Sequence, residues 1–299
     1  CHVDACVGGM MLPFVRQGGR TVPPFDFSVN GVTSLSVDLH KYGYAAKGAS
    51  LILYRDGELR RHQLFVATNW AGGIYASPTM SGTRAGGAIA AAWAVLQHLG
   101  MDGYSAIAHE VMDATDRIKH GINALDDVHV LGDPAMSVLA IASDTLDMYE
   151  IGDEMTMRGW HLDRQQLPPS LHLTINHAHV AIVEQFLHDL AESVDMARRN
   201  HRRSNALLHK GIRAIASILP SAIVRPLTRS LAGRMGGEVG AQSRSAAMYG
   251  MMGALPNKGD LDDVVLDLVE QFTLPQHGKN IEHRTESIGF GDEGSGNHE

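Results

Sequence analysis

Two short stretches near the start of the chain place charged residues where a site for covalent chemistry could form. Residues 2–6 read His-Val-Asp-Ala-Cys, and residues 38–44 read Asp-Leu-His-Lys-Tyr-Gly-Tyr. A lysine just past a strand end, among histidine and small residues, suits a Schiff-base nucleophile. An aspartate that ends a neighbouring strand suits the partner of a pyridinium nitrogen. Lys41 and Asp4 are therefore the first candidates.

Together these two residues predict pyridoxal 5′-phosphate as the cofactor. The cofactor withdraws electrons only while its ring nitrogen is protonated, and a carboxylate beside that nitrogen raises its pKa. The lysine must lose its proton to react with the aldehyde, which burial favours. Taken alone, Lys41 would be interpreted as a surface lysine and Asp4 as a cap or turn residue, so the prediction depends on their order and context.

Hydrophobic periodicity predicts the elements that position these residues. Alternation over 32–39 and the apolar run 50–54 indicate strands of a buried sheet, with 40–48 as the loop between them. Helices are predicted over 88–99, closed by Gly100, and over 104–125. The remaining predicted elements are a hairpin of 128–131 and 136–141, a helix over 146–158, a strand pair of 160–162 and 171–175, and a helix over 179–198.

Local composition and the predicted elements divide the chain into four segments. The first is Gly-punctuated and strand-rich, the second reads as a small α+β domain, the third is an ambiguous helical extension, and the fourth is a polar, Gly-rich tail predicted to be disordered. Their predicted bounds are 1–102, 103–198, 199–275 and 276–299.

Composition excludes several classes of protein. The 299 residues carry 25 Lys and Arg against 33 Asp and Glu, a net charge of −8, which argues against nucleic acid or an anionic membrane as the main partner. The longest apolar run, 88–96, is nine residues, whereas a membrane span needs about 20. Only two cysteines, Cys1 and Cys6, are present, so a reducing compartment, the cytoplasm, is expected.

Four stretches resemble the sphingosine-1-phosphate lyases, a branch of the group II pyridoxal-phosphate-dependent decarboxylase superfamily. They read HVDAC, SVDLHKYGYAAKGASLILYR, WAGGIYASPTMSGTRAGG and LPPSLH. The implied fold is α/β, the pyridoxal-phosphate-dependent transferase fold type I. The chain would contain the second half of the large mixed-sheet domain and a small C-terminal α+β domain. Because it begins without Met, directly at HVDA, it is expected to be a fragment that lacks the upstream part of the large domain and is inactive by itself.

The resemblance assigns cofactor-binding roles to residues of the two N-terminal stretches. It implies that Lys41 joins the cofactor covalently, that Asp4 partners the pyridinium nitrogen, and that His40 lies beside the cofactor phosphate.

The resemblance also assigns roles further along the chain. Lys47 would be a second cationic group that faces the substrate's phosphate or assists proton transfer, and Tyr75 would line the pocket. Gly82 and Thr83 match a turn that reaches the cofactor phosphate of the neighbouring subunit, which implies a homodimer. Two departures are small: Ala46 stands where the family usually has proline, and Thr83 where it has serine.

The implied reaction is carbon–carbon cleavage of a phosphorylated sphingoid base to a long-chain aldehyde and phosphoethanolamine. Cys6 and the GGIYASPT run favour this lyase over an amino-acid decarboxylase of the same superfamily. A catalytically inactive truncated remnant is a third alternative. No metal site is predicted, because the pair His177 and His179 at a strand–helix junction is better interpreted as capping or solvated histidines.

Overall fold

The computed structural model of the protein describes residues 1–203 and three further helical positions, Asp262, Leu266 and Val269. Residues 1–203 belong to one compact unit and the three later positions to a second. Most of the helical extension predicted over 199–275, and all of the tail predicted over 276–299, lie outside the described residues. The domain boundary at residue 102 remains a prediction.

A three-stranded mixed sheet carries the N-terminal stretches. Strand β1 runs parallel to β2, and β3 pairs antiparallel with the other edge of β2. Along β2 the side chains of Leu35 and Val37 are buried, whereas the alternate residues face the other side, as the period of two requires. The helix α1, which sequence patterning did not identify, follows β1. The bounds are His2–Asp4 for β1, Leu12–Gln17 for α1, Ser34–Asp38 for β2 and Ser50–Tyr54 for β3.

A separate two-stranded hairpin follows this sheet. A short helix, α2, comes first, and the side chain of Asp56 caps it by accepting from the backbone N–H of Leu59 at 2.8 Å. The hairpin was not predicted, because its strands neither alternate cleanly nor form an apolar run. The bounds are Gly57–Arg61 for α2, Phe65–Trp70 for β4 and Gly73–Ser77 for β5.

The longest element, α3 (Gly86–Asn123), confirms the two predicted helices. They are joined end to end at Gly100, whose φ of 55° is not helical. Val111, Ile118 and Ile122 lie on the buried face of the second half, at the spacing that predicted an amphipathic helix. Among the described residues, no helix combines the length and apolarity that crossing a bilayer demands.

The rest of the described structure contains helices and a four-stranded antiparallel sheet, whose strands in spatial order are His129–Val130, Val138–Ala142, Pro169–Thr174 and Asp163–Gln166. The predicted strand at 160–162 is wrong, because the ladder begins only at Asp163. Trp160 does not lie in a strand. Its ring packs edge-on against Phe186, and its indole N–H donates to Asp189 at 2.8 Å. The bounds are His129–Val130 for β6, Val138–Ala142 for β7, Met148–Met157 for α4, Asp163–Gln166 for β8, Pro169–Thr174 for β9 and Val183–Arg203 for α5, which follows a 3₁₀ turn over His177–Ile182.

The 3₁₀ turn supports the capping interpretation of one histidine. The imidazole Nδ1 of His179 accepts from the backbone N–H of Asn176 at 3.0 Å, and the side chain of Asn176 in turn accepts from the backbone N–H of Ala178. The other histidine, His177, pairs with Glu110 across 2.8 Å.

Candidate active site

The two candidate residues of the N-terminal stretches lie at one edge of the mixed sheet. Asp4 is the last residue of β1, and Lys41 follows the last residue of β2 by three positions. Because β1 and β2 are parallel, their carboxyl ends meet at the same edge, which is where open α/β sheets place their ligands.

The carboxylate of Asp4 is held through one of its two oxygens. Oδ1 accepts from the backbone N–H of Cys6 at 3.0 Å and from the hydroxyl of Ser36 at 3.1 Å, while the Cys6 thiol donates to the Ser36 hydroxyl at 3.2 Å. The neighbouring Cys6 side chain, the backbone N–H of Cys6 and the hydroxyl of Ser36 lower the pKa of Asp4 to about 2. Oδ2 makes no hydrogen bond with the described residues, so an ionised oxygen is available to an incoming donor.

The amine of Lys41 lies against a second carboxylate. Nζ is 2.9 Å from Oδ2 of Asp38, and the hydroxyl of Ser50 donates to Oδ1 of Asp38 at 2.6 Å. The hydrogen bond with Asp38 raises the pKa of Lys41. The bond from Ser50, followed by that from Lys41, lowers the pKa of Asp38. Lys41 is therefore an ammonium ion in this arrangement.

The ring of His40 is oriented by the backbone. Nδ1 lies 3.0 Å from the carbonyl oxygen of Ala49, which can only accept, so Nδ1 carries the proton. Nε2 is 3.8 Å from Oδ2 of Asp38, beyond hydrogen-bond distance. Nε2 is thus free to meet a ligand, although the predicted contact with a cofactor phosphate remains a prediction.

Buried tyrosines anchor the loop that carries Lys41. The hydroxyl of Tyr42 donates to the carbonyl oxygen of Ile175 at 2.6 Å and lies 2.6 Å from Oγ of Ser137. The hydroxyl of Tyr104 donates to the carbonyl oxygen of Gly43 at 2.7 Å. Burial raises the pKa of Tyr42 to about 12. The turn after β2 is therefore hydrogen-bonded to the residues that directly precede β7 and follow β9, and to α3.

Gly43 is required at this turn. A Cβ there would meet the backbone of Leu39, with its Cα only 2.8 Å away. Glycine alone lets the chain fold back this closely.

The remaining predicted residues form a second, more exposed group. The ring of Tyr75 lies 6.1 Å from the rings of Phe65 and Trp70, and Gly82 has a positive φ of 62°. Thr83 is exposed. In the described part of the chain, no hydrogen bond or ion pair joins residues 73–83 to residues 38–48.

Lys47 is exposed as well and makes no hydrogen bond or ion pair with the described residues. The structure therefore brings Asp4, His40 and Lys41 to one sheet edge, but it does not connect Lys47, Tyr75, Gly82 or Thr83 to them.

Sequence reasoning missed three polar residues of this edge. Asp38 was noted without a role, and Ser36 and Ser50 were not singled out. The signal that identifies them is strand register: Ser36 lies opposite Asp4, and Ser50 lies opposite Asp38. Such cross-strand pairs cannot be assigned until the pairing of the strands is known.

The donor set fits pyridoxal 5′-phosphate. Lys41 supplies a primary amine once its ammonium ion loses a proton, which the pairing with Asp38 opposes and which burial does not favour here, because the side chain is 40% exposed. Asp4 supplies an ionised oxygen that makes no hydrogen bond with the described residues. Asp4 and Lys41 are close enough for the lysine to lower the pKa of the carboxyl.

Comparison with known proteins agrees with this chemistry. Residues 1–142 match the pyridoxal-dependent decarboxylase conserved domain. The chain is 47% identical over 199 residues to a sphingosine-1-phosphate lyase of Arabidopsis thaliana, covering 67% of this chain and 37% of that protein. It is 38% identical over 233 residues to sphingosine-1-phosphate lyase 1 of Rattus norvegicus, covering 77% and 40%.

A solved structure agrees as well. The sphingosine-1-phosphate lyase of Burkholderia pseudomallei superposes with a TM-score of 0.64 at 41% identity, covering 68% of this chain and 46% of that one. The chain thus spans less than half the length of these relatives. The matches confirm the predicted family resemblance, fold type I and pyridoxal 5′-phosphate as the cofactor of the family. The chain belongs to the pyridoxal-dependent decarboxylase superfamily and is a relative of its sphingosine-1-phosphate lyases.

Proposed function

We propose that the protein acts as a pyridoxal-phosphate-dependent carbon–carbon lyase that cleaves a phosphorylated sphingoid base. The products would be a long-chain aldehyde and phosphoethanolamine. The observation that carries the proposal is the placement of Asp4 and Lys41 at the same edge of the mixed sheet, where the parallel strands β1 and β2 end, in a chain that is similar to sphingosine-1-phosphate lyases over two thirds of its length.

Two residues of this chain would prepare the cofactor. When bound, the cofactor supplies an electron sink for the pair released when a bond to the amine-bearing carbon breaks. Oδ2 of Asp4 would accept a hydrogen bond from the protonated ring nitrogen of the cofactor, and the negative charge of the carboxylate would keep that nitrogen protonated. Lys41 would attach the cofactor and yield its place to the substrate amine.

The proton balance of the cleavage requires an acid–base group near the substrate. One proton leaves the hydroxyl next to the amine-bearing carbon as that hydroxyl becomes the aldehyde, and one proton returns to the amine-bearing carbon. We assign Lys47 as the candidate for this transfer, or as the cation that pairs with the substrate's phosphate. Tyr75 is proposed to line the pocket, and His40 to contact the cofactor phosphate.

The assembly is proposed to be a homodimer in which Gly82 and Thr83 reach the partner's cofactor phosphate. The exposed apolar side chains of the nearby hairpin support it: Ile74 is 79% and Trp70 59% exposed, a surface of the kind that protein interfaces cover. The proposed compartment is the cytoplasm, since Cys1 and Cys6 are both free thiols.

Borohydride reduction of the chain with pyridoxal phosphate, followed by peptide mapping, tests the cofactor assignment. We expect the pyridoxyl label on Lys41, loss of that label in Lys41→Arg, and its persistence in the matched variant Lys47→Arg. Label distributed evenly over exposed lysines would contradict the assignment.

Product analysis tests the reaction. A lyase releases phosphoethanolamine from sphingosine 1-phosphate in a Lys41-dependent manner, whereas an amino-acid decarboxylase releases carbon dioxide from an amino acid. Pyridoxyl labelling at Lys41 without either product would favour the inactive alternative.

A further inference from the structure

We propose that Asp38 is a positioning residue that holds the amine of Lys41 whenever that amine is not joined to the cofactor. The inference rests on the proposed role of Lys41 and extends it to a residue that the reaction described above does not use. It is carried by the juxtaposition of Lys41, Asp38 and Ser50 at the end of β2.

The turn after β2 places the two charged side chains together. The backbone N–H of Lys41 donates to the carbonyl oxygen of Asp38 at 3.3 Å and closes the turn. The side chains then meet, with Nζ 2.9 Å from Oδ2. The Asp38 side chain is 13% exposed and that of Lys41 40% exposed, so the carboxylate is the fixed member of the pair and the lysine the movable one.

Ser50 explains why Asp38 stays in place. In the antiparallel pairing of β2 and β3, Ser50 lies directly opposite Asp38, and its hydroxyl donates to Oδ1 at 2.6 Å. With Oδ1 occupied by the neighbouring strand, Oδ2 is presented to the amine. A serine on a strand holds its position better than a group on a mobile loop.

The same construction occurs once more on this sheet. Ser36 lies opposite Asp4 and donates to its Oδ1, which leaves Oδ2 of Asp4 open. Each aspartate therefore has one oxygen that accepts from a serine of the next strand, while its second oxygen is left for another group. In Asp4 the second oxygen is open to a ligand, whereas in Asp38 it is already occupied by Lys41.

This pairing has a consequence for the proposed reaction. When the substrate amine displaces Lys41, the freed amine takes up a proton from solvent and becomes an ammonium ion. Asp38 is the main charge that attracts this ion, with a smaller contribution from Asp4. His40, the other titratable side chain beside Asp38, lies too far from it to displace the lysine. The amine thus stays within reach of the site, and it returns its proton to solvent before the return step, because only the neutral amine is nucleophilic.

The test measures the titration of Lys41 in the full chain without cofactor. Reductive methylation with ¹³C-formaldehyde labels the lysines, and the Lys41 resonance is assigned by its absence in Lys41→Arg. In Asp38→Asn we expect the pKa of Lys41 to fall toward the ordinary lysine value, which enlarges the neutral fraction of the amine at a given pH. Ser50→Ala is expected to give a smaller fall, and Asp38→Glu to restore the raised value.

The matched control is Asp56→Asn, which removes a carboxylate at the start of α2 while keeping a residue that can cap that helix. It should leave Lys41 unchanged. An unchanged Lys41 pKa in Asp38→Asn, or a fall no larger than in Asp56→Asn, overturns the proposal. Should Asp38→Asn fail to fold, Ser50→Ala decides: no change in Lys41 there overturns it.

This measurement is independent of the proposed function. Lys41 can titrate as expected while pyridoxal phosphate fails to label it, in which case the cofactor role fails and the ion pair stands as structure only. Conversely, specific labelling of Lys41 with no response to Asp38→Asn leaves the function intact and removes Asp38 from it.

Discussion

The loop that carries Lys41 and the β4–β5 hairpin that carries Tyr75 are built in opposite ways. The loop is short and irregular, yet Tyr42 within it is only 5% exposed and its hydroxyl is hydrogen-bonded to the carbonyl oxygen of Ile175, the residue that follows β9. The hairpin is regular, yet its apolar side chains are exposed, and its aromatic rings contact mainly one another.

Because of this difference, the positions of Lys41 and Tyr75 are expected to depend on different contacts. The position of Lys41 depends on buried contacts within this chain. A two-stranded hairpin, by contrast, is at best marginally stable without a packing partner. The position of Tyr75 is therefore expected to depend on a surface supplied from elsewhere, in agreement with the proposed homodimer.

Among the substitutions in the two regions, Gly43→Ala in the loop is expected to have the largest effect on stability. Its added Cβ would meet the Leu39 backbone, which cannot rotate away, and we expect a loss of about 3 kcal/mol in the free energy of unfolding. Gly57→Ala is the matched control, since a Cβ at the first position of α2 meets nothing within 4 Å. Urea denaturation of both variants measures the difference, and equal midpoints would show that the turn is not tightly folded.

Alkaline pH should loosen the same loop. Burial raises the pKa of Tyr42 from 10 to about 12, so the folded state holds this proton more tightly than the unfolded state. The stabilisation is complete below pH 10 and is lost as the pH rises through 12, an effect on the order of 2 kcal/mol. Comparing unfolding at pH 9 and pH 11.5 in the wild type and in Tyr42→Phe isolates this contribution, because the variant has no such proton to lose. An identical pH dependence would contradict it.

At neutral pH, Tyr42→Phe removes the hydroxyl that bonds the carbonyl of Ile175. We expect a loss of about 1–2 kcal/mol, since the buried carbonyl loses a donor. Tyr54→Phe is the comparison: its hydroxyl donates to Gln63 in a less buried setting, so it should cost less. A larger effect at Tyr54 would indicate that the loop is not the better-anchored region. Borohydride labelling of Tyr42→Phe would also show whether Lys41 loses its selectivity.

How far the sequence predicts this molecule depends on how local each signal is. The strands β2 and β3, both halves of α3 and the edge placement of Asp4 and Lys41 followed from periodicity and turn residues within short windows. The strand at 160–162 was misplaced because Trp160 is apolar to pack against Phe186, whereas the true strand, Asp163–Gln166, is polar. The sequence pattern alone does not distinguish an apolar residue that lies in a strand from one that packs outside the sheet.

The partners of the site residues were less predictable still. Ser36 and Ser50 are ordinary strand residues until the register places each opposite an aspartate. The residues KYGY lie within one of the stretches that resemble the family, but the physical role of Tyr42 depends on Ser137 and Ile175, about a hundred residues away. Contacts between distant parts of the chain leave no trace in a local window.

The smallest expected effect is at the hairpin. The hydroxyl of Tyr75 makes no hydrogen bond with the described residues, so Tyr75→Phe should change the free energy of unfolding by no more than about 0.5 kcal/mol, in contrast to Tyr42→Phe. Removing the ring in Tyr75→Ala should matter more as protein concentration rises, because an interface between copies stabilises only the associated form. Unfolding midpoints at two concentrations a hundredfold apart check this. A concentration-independent loss as large as that of Tyr42→Phe would mean that the hairpin is packed within its own chain, and the contrast between the two regions would disappear.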